Sequence, residues 1–409
     1  MQQCHAVTSP ADASGRPDKR SGWGYNRIFL AVYAVLIFNE VLATSNLNKL
    51  SWWDHYYTGI LLLALAVLGI SFLRKARLRS EEFMVLLAIF VLCALTAGYS
   101  GRIKYTLGFF LVVFFGMKTS YEKICSTYAV AAACGIALVL ILWRTGILGS
   151  DFNTRTGGAT IRYYFGFTYT TILPNLFFFL VLGWYFVKKH RIGWISTAVV
   201  LGINYVLYRY TDTKAVYLEL MLLLAMLWAA RLIDEKKRWI SRVIRFFTVW
   251  TMPALTILIF FLACGYSEQK PLFVLLNNRL SDRLRLSHMA IEQYGFHLWG
   301  TETHWATGRF GIERFTDYFY VDSSYLNIFL TYGFVMLLFL VIGFMLIGRQ
   351  MADARQYSAC AVLIILALHS FTDPQLFEIR YNPMLPMLGA AYYYQLKHRG
   401  IMQTEGQLL

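Results

Sequence analysis

The feature that most limits the fold of this chain is a series of apolar blocks spread over its whole length. Each block is roughly 17–22 residues long, about the length a helix needs to cross a ~30 Å hydrocarbon core. Backbone N–H and C=O groups cannot stay unpaired in lipid, so such blocks are expected to be helices. Hydrophobic residues make up 57% of the 409 residues and charged residues only 15%, which excludes an ordinary soluble domain. The sequence therefore predicts an all-α polytopic membrane protein with about 12 transmembrane helices.

The predicted spans divide the chain into a few large segments. They lie near residues 26–45, 57–73, 82–98, 105–117, 126–143, 167–187, 194–209, 213–230, 247–265, 323–347, 359–371 and 384–396. This leaves a cytoplasmic N-terminal tail at 1–25, a first membrane helix bundle of about nine spans at 26–265, a large extracytoplasmic loop at 266–322, C-terminal spans at 323–396 and a cytoplasmic tail at 397–409. The loop at 266–322 is by far the longest connection, and such length usually indicates function.

The positive charge of the chain predicts its orientation in the membrane. The formal net charge is +15, and much of it lies in short basic clusters at 74–79, 188–191, 234–238 and 397–399 and in the N-terminal tail. Lys and Arg accumulate in cytoplasmic loops, so both termini are expected in the cytoplasm, with the chain in the plasma (inner) membrane. This pattern explains the charge better than nucleic acid binding, and no nucleic acid partner is expected.

The large loop contains the strongest candidate for a binding site. Residues 276–292 predict one amphipathic helix, because an apolar stripe repeats at helical spacing at Leu276, Leu280, Leu284 and Ile291. Arg279 and Arg283 would then lie one turn apart on a neighbouring face. Guanidinium groups bind phosphate oxygens in a bidentate manner, which suits a lipid-linked diphosphate. The alternative is an interfacial helix whose arginines contact lipid phosphates without specificity.

Asp322 stands where the loop returns to the membrane, directly before an apolar span. A carboxylate in this position is a candidate general base for a sugar hydroxyl. The alternative is a helix N-cap, since Asp or Ser ahead of an apolar run is typical of a helix start. The two roles are compatible.

Three further cations are predicted near the outer ends of spans. Arg162 precedes one span, and Arg209 and Lys214 flank the outer end of another. Charges at membrane depth are costly and usually face an interior or a water-filled cavity, so these residues with Arg283 predict a basic cavity for an anionic head group. The alternative is snorkelling of the long side chains to the interface.

Candidate proton shuttles lie in two places. His304 is in the large loop, and His369 and Asp373 are at the outer end of the eleventh span. A single histidine is more often structural than catalytic. The six cysteines and the histidines show no metal-ligand spacing, so neither a metal site nor a disulfide framework is predicted.

Several of these segments resemble one enzyme family. Residues 280–286, with Tyr294-Gly295 after them, resemble the large loop of Wzy-type polysaccharide repeat-unit polymerases, which belong to the O-antigen ligase–polymerase superfamily. Residues 321–326 resemble the Asp-Asn-x-Tyr-Leu element of that family, and 211–214 its Thr-x-Ser-Arg element. Arg162 with the Gly-Phe pair at 166–167 resembles a third element.

The chain departs from the family pattern at single positions. Asp282 stands where a glycine is usual, Ser323 where Asn is usual and Lys214 where Arg is usual. Residues 169–171, Tyr-Thr-Thr, occupy the place of a His-Pro-Asn element. These departures bear on the roles of individual residues more than on the resemblance itself.

The resemblance implies a GT-C-like fold and a glycosyltransferase without cofactor or metal. Such enzymes move a growing glycan from undecaprenyl diphosphate onto a new lipid-linked repeat unit, outside the plasma membrane, to make capsule, exopolysaccharide or O-antigen. The implied partners are the undecaprenyl-diphosphate-linked oligosaccharide, plasma membrane lipids and a chain-length regulator.

On this hypothesis the candidate residues take separate roles. Arg283 would stabilise the leaving diphosphate, supported by Arg279, Arg162, Arg209 and Lys214. Asp322 would orient or deprotonate the acceptor hydroxyl, and Tyr325 would position it.

Two other classes remain open. The first is an O-antigen ligase or another lipid-linked glycosyltransferase, although those ligases carry a His-Asn pair where this chain has Asp322-Ser323. The second is a lipid-linked oligosaccharide flippase, although flippases usually have short loops on both sides of the membrane.

Overall fold

The chain is described by a computed structural model that covers residues 22–75, 80–149, 152–154, 161–188, 192–233, 237–306 and 318–406. These residues are mainly helical, with a 3₁₀ helix at Asn46–Lys49 and a two-stranded antiparallel ribbon of β1 (Phe152–Thr154) and β2 (Ile161–Tyr163). The helices are α1 (Gly22–Leu42), α2 (Trp53–Lys75), α3 (Ser80–Ser100), α4 (Ile103–Phe115), α5 (Tyr121–Arg144), α6 (Ile172–Val187), α7 (Trp194–Thr211), α8 (Lys214–Arg231), α9 (Arg238–Cys264), α10 (Pro271–Arg279), α11 (Arg283–Tyr294), α12 (Ser324–Tyr332), α13 (Phe334–Asp353), α14 (Tyr357–Thr372) and α15 (Pro386–Gly406).

The long apolar helices are those of a membrane-embedded protein. In the described part of the chain, six helices are long and apolar enough to cross a bilayer, namely α1, α2, α3, α5, α9 and α13. Helices α4, α6 and α14 are apolar but shorter. Six helices therefore meet the requirement for a span by length and composition, and the other predicted spans correspond to shorter or less apolar helices.

The predicted helix at 276–292 is wrong, because the chain breaks between α10 and α11. Ser281 and Asp282 have φ of +54° and +64°, in the left-handed region. The Asn277 amide bridges the break: its Nδ2–H donates to Asp282 Oδ1 (2.8 Å) and its Oδ1 accepts from the backbone N–H of Arg285 (3.0 Å). Side-chain bonds of this kind compete with helical ones. As a result, Arg279 and Arg283 do not share a helix face.

The predicted span at 323–347 is two helices, α12 and α13, separated by Gly333. Gly333 has φ of +93°, and a Cβ there would stand 2.3 Å from the backbone N of Gly300. Around this contact residues 297–301 of the large loop are bonded to the break, since Phe334 N–H donates to His297 O (3.0 Å) and Thr301 N–H to Leu330 O (3.2 Å). The close approach of two glycines therefore fixes the loop against the start of α13 and holds α12 as a separate short helix.

The connection between α14 and α15, residues 373–385, is non-helical and largely buried. Such backbone is tolerated in a membrane protein where other groups satisfy it. Here Ser324 Oγ–H donates to Asp373 O (2.5 Å) and accepts from Leu376 N–H (3.1 Å). Asn382 makes a hydrogen bond within the segment, since its Nδ2–H donates to Leu376 O (2.9 Å). The segment is thus anchored to the start of α12.

We expect Gly333→Ala to lower the stability of the detergent-solubilised protein by at least about 2 kcal/mol, because a Cβ adds left-handed strain and a backbone clash. Gly59→Ala in α2 is the matched control, since a Cβ there meets nothing within 4 Å. Thermal melting of both variants measures the difference, and an unchanged melting temperature for Gly333→Ala would contradict the contact.

Candidate functional site

An ion pair joins the large loop to the start of α12. Arg283, the first residue of α11, donates from Nε–H to Asp322 Oδ2 at 2.9 Å, and the two side chains are 30% and 21% exposed. Burial lowers the pKa of the Arg283 guanidinium, but the charges of Asp322 and Asp373 outweigh it and hold that pKa above its usual value. The sequence predicted both residues for one site, and the structure brings them together.

Asp322 does not act as the helix cap. The residue at the N-cap of α12 is Ser323, and its side chain makes no capping hydrogen bond. The Asp322 carboxylate is instead engaged by the guanidinium of Arg283. The N-cap position of α12 thus falls to Ser323, while Asp322 forms an ion pair with Arg283. The role of Asp322 as a general base stays a prediction.

Two tyrosines border this ion pair. Burial raises the pKa of the Tyr318 hydroxyl, and the nearby charge of Asp322 and the Tyr169 hydroxyl raise it further. Tyr169 lies in the segment before α6, where its ring is 5.9 Å from that of Tyr164. The segment before α6 thus lies within electrostatic range of Tyr318.

A second polar cluster lies behind the ion pair, at the end of α14. His369 is fully buried, with Nδ1 2.7 Å from Glu219 Oε2 and Nε2 2.9 Å from Gln375 Oε1. Its ring stacks on Phe178 at a centroid distance of 4.3 Å. Asp373, one turn further along, interacts electrostatically with both His369 and Arg283. Asp373 therefore links the two clusters, while the buried and doubly bonded His369 has the contacts of a structural histidine.

The remaining predicted cations gather at the turn between α7 and α8. Arg162 donates from Nε–H to Thr211 O (2.8 Å), and the Thr170 hydroxyl donates to the same carbonyl (3.2 Å). Lys214 begins α8 directly after this turn, and both Lys214 and Arg209 are exposed. Thr170 is the neighbour of Tyr169, so hydrogen bonds at the α7–α8 turn and electrostatic interactions through Tyr169 and Tyr318 link Arg162 to the Arg283–Asp322 pair.

Three predicted site residues have contacts or positions that differ from those expected. The predicted role of Tyr325 is corrected, because its buried hydroxyl already donates to Ala367 O of α14 (2.7 Å) and so joins α12 to α14. Arg279 is exposed at the end of α10, on the far side of the helix break. His304 has an exposed side chain, and its backbone N–H donates to the Tyr294 hydroxyl (3.0 Å).

The sequence interpretation overlooked Glu219 and a buried ionic network around Arg380. Arg380 Nε lies 2.5 Å from Glu378 Oε2 and 3.9 Å from Glu40 Oε2, and Tyr57 hydrogen-bonds to Glu40. The sequence did contain an indication of these residues. Glu40 and Glu219 are single carboxylates inside apolar blocks, and such residues are costly unless they are paired. Their partners are remote in sequence and were not predictable from it.

No protein-family model matches the chain, and neither does any curated protein or solved structure. The functional interpretation therefore depends on the arrangement of Arg283, Asp322, Asp373 and their neighbours.

Tyr325→Phe should reduce the free energy of unfolding by about 1 kcal/mol, because it removes one buried hydrogen bond to α14 and leaves the ring in place. Tyr99→Phe serves as control, since Tyr99 is 61% exposed. Thermal unfolding in detergent compares the two, and equal melting temperatures for both variants would show that the Tyr325 hydroxyl does not stabilise the fold.

Proposed function

We propose that this protein is a glycosyltransferase that joins undecaprenyl-diphosphate-linked oligosaccharide repeat units into a polysaccharide at the outer face of the bacterial plasma membrane. The observation that carries the proposal is the Arg283–Asp322 pair, placed beside Asp373 where the large loop meets the membrane helices. A lipid-linked donor resides in the bilayer, so an enzyme built of apolar helices meets it there. The motif resemblance supports the same class.

Arg283 is the group that acts on the leaving diphosphate. As the glycosidic bond breaks, negative charge develops on the diphosphate, and a preorganised cation stabilises that charge. A guanidinium has five N–H donors, and the contact with Asp322 involves Nε–H. Asp322 holds the guanidinium in one orientation, which reduces the reorganisation needed during the reaction. Asp322 is in this proposal a positioning residue.

The other cations bring the anionic carrier to this point. Arg162, Arg209 and Lys214 lie around the α7–α8 turn, which is connected to the ion pair through Thr170 and Tyr169. Exposed Arg279 supplies positive charge at the surface of α10. Such groups raise the local concentration of an anionic substrate. About 12 spans, a GT-C-like arrangement, cytoplasmic termini and a chain-length regulator as partner belong to the same proposal.

Arg283→Ala should lower the rate of polymer formation by about 10²–10³-fold, because one preorganised donor to the developing charge is lost. Arg285→Ala is the matched control on the same helix, since Arg285 Nη1 contacts Met289 instead of the site. Glycan length in cells that carry each variant is compared by gel electrophoresis, with protein level and melting temperature checked in parallel. Long polymer from Arg283→Ala would refute its role, and single repeat units retained inside the cell would indicate a flippase.

A labelling experiment tests the proposed orientation. In a variant with the exposed Cys134 and Cys264 replaced by Ser, Glu268→Cys should react with a membrane-impermeant maleimide in intact cells. Native Cys4 in the N-terminal tail should react only after permeabilisation. Reaction of Cys4 in intact cells would place the N-terminus outside and reverse the topology.

A further inference from the structure

Four buried side-chain atoms at one end of the bundle, including Asp373 Oδ2, make no hydrogen bond within the described part of the chain. These atoms are both amide atoms of Asn175, Asp373 Oδ2 and Ser323 Oγ, which make no hydrogen bond to any described residue. Asn175 is fully buried, Ser323 is 4% exposed and Asp373 is 8% exposed. Each buried polar group left unpaired costs about 1–3 kcal/mol, and a bound polar group that pairs with these atoms would remove this cost.

Contacts around the bundle place these side chains at one end of it. Thr170, just before α6, bonds to the turn before α8, and Glu219, early in α8, bonds to His369 and Thr372 at the end of α14. The start of α6 and the end of α14 therefore lie at the same end of the protein. The N-terminus of α12 is there as well, because Ser324 bonds to Asp373 O.

The helix geometry brings Asn175 toward Asp373. The rings of Phe178 and Phe179 both contact the ring of His369, at centroid distances of 4.3 and 5.3 Å. Asn175 precedes them by about one turn on the same face of α6. Asp373 follows His369 by about one turn in the same direction. Asn175 and Asp373 are thus displaced from the His369 layer toward the same end, where Ser323 completes the group.

We propose that Asp373, Asn175 and Ser323 form the subsite for the acceptor sugar hydroxyl, with Asp373 as the general base; this inference rests on the function proposed above. A hydroxyl both donates and accepts hydrogen bonds, and the subsite offers the complementary set of a carboxylate acceptor, an amide donor and acceptor, and a second hydroxyl. Asp322 is engaged by Arg283, whereas Asp373 Oδ2 has no hydrogen bond in the described structure.

The reaction step follows from this placement. The acceptor oxygen forms a bond to the anomeric carbon of the donor glycan while the bond from that carbon to the diphosphate oxygen breaks. The acceptor O–H proton passes to Asp373 Oδ2, and the electron pair of the broken bond leaves with the diphosphate, whose charge is stabilised by Arg283. Asp373 then releases the proton to water.

Several charged groups surround Asp373, and they influence how the polymerisation rate depends on pH. They are Arg283 on α11, Asp322 ahead of α12, His369 on α14 and, beyond it, Glu219 on α8, with Tyr318 beside Asp322. Asn175 on α6 and Ser323 at the N-cap of α12 carry no charge. Protonation of the base stops transfer, so the wild-type rate should fall toward acidic pH.

The test uses the full-length protein in liposomes with the undecaprenyl-diphosphate-linked repeat unit from the source cell. Asp373→Asn should lower the polymerisation rate by about 10²–10⁴-fold. Its residual rate should no longer fall toward acidic pH, while the affinity for added undecaprenyl diphosphate stays at the wild-type value. A wild-type pH profile in Asp373→Asn, or loss of the acidic limb in Asp322→Asn instead, would overturn the assignment.

A second variant separates function from folding. Asn175→Leu is close in volume and removes two unpaired polar atoms, so its melting temperature should equal or exceed that of the wild type. Its polymerisation rate should nevertheless fall by at least about tenfold, because the substitution removes an amide that binds the acceptor hydroxyl at a cost to stability. An unchanged rate would overturn the subsite.

The two proposals fail in different ways. If the wild type makes polymer and Arg283→Ala does not, but Asp373→Asn and Asn175→Leu both retain the wild-type rate, only the subsite is wrong. If the wild type makes no polymer from the lipid-linked repeat unit, the proposed function is wrong and the subsite with it.

Discussion

The structure depends above all on the pairing of charges inside a bundle of apolar helices. An unpaired charge in such an interior costs several kcal/mol, and three ion pairs in the described structure join charges from different elements. Arg283 on α11 pairs with Asp322 before α12, His369 on α14 lies against Glu219 on α8, and Arg380 lies against Glu40 on α1. These contacts join parts of the chain that are remote in sequence. They also concentrate the polar groups of the protein in a few places.

The buried segment 373–385 connects two of these places. Asp373 at its start adjoins the Arg283 site, and Glu378 and Arg380 further along form the second ionic network with Glu40. Because the segment is not helical, its backbone needs side-chain partners, and Ser324 and Asn382 supply them. A helix at this position would have satisfied its own backbone, but it would not have presented carboxylates to two sites at once.

Two departures from the polymerase motifs that the sequence resembles have a physical explanation in the structure. Asp282, which stands where a glycine is usual, has φ of +64°, a conformation that glycine adopts freely and that Asp tolerates with help from a neighbour. That help comes from the Asn277 amide, which bonds to Asp282 Oδ1. Ser323, which stands where the resembled element has Asn, has a buried hydroxyl that makes no hydrogen bond to any described residue. Asp282 thus keeps the local backbone of a glycine position, whereas Ser323 changes the polar groups available in the site.

The sequence alone determined the class of the protein, because apolar length and backbone hydrogen bonding leave helices as the solution for blocks of this kind. It also indicated Arg283 and Asp322 together, since both lie in the long loop at 266–322. The helix breaks at residues 280–282 and at Gly333, the burial of Tyr325 and the partners of Glu40 and Glu219 were decided only in the tertiary structure. These features depend on contacts between distant segments, such as Gly300 against Gly333 and His369 against Glu219. The hydrophobic periodicity of a sequence carries no information about such contacts.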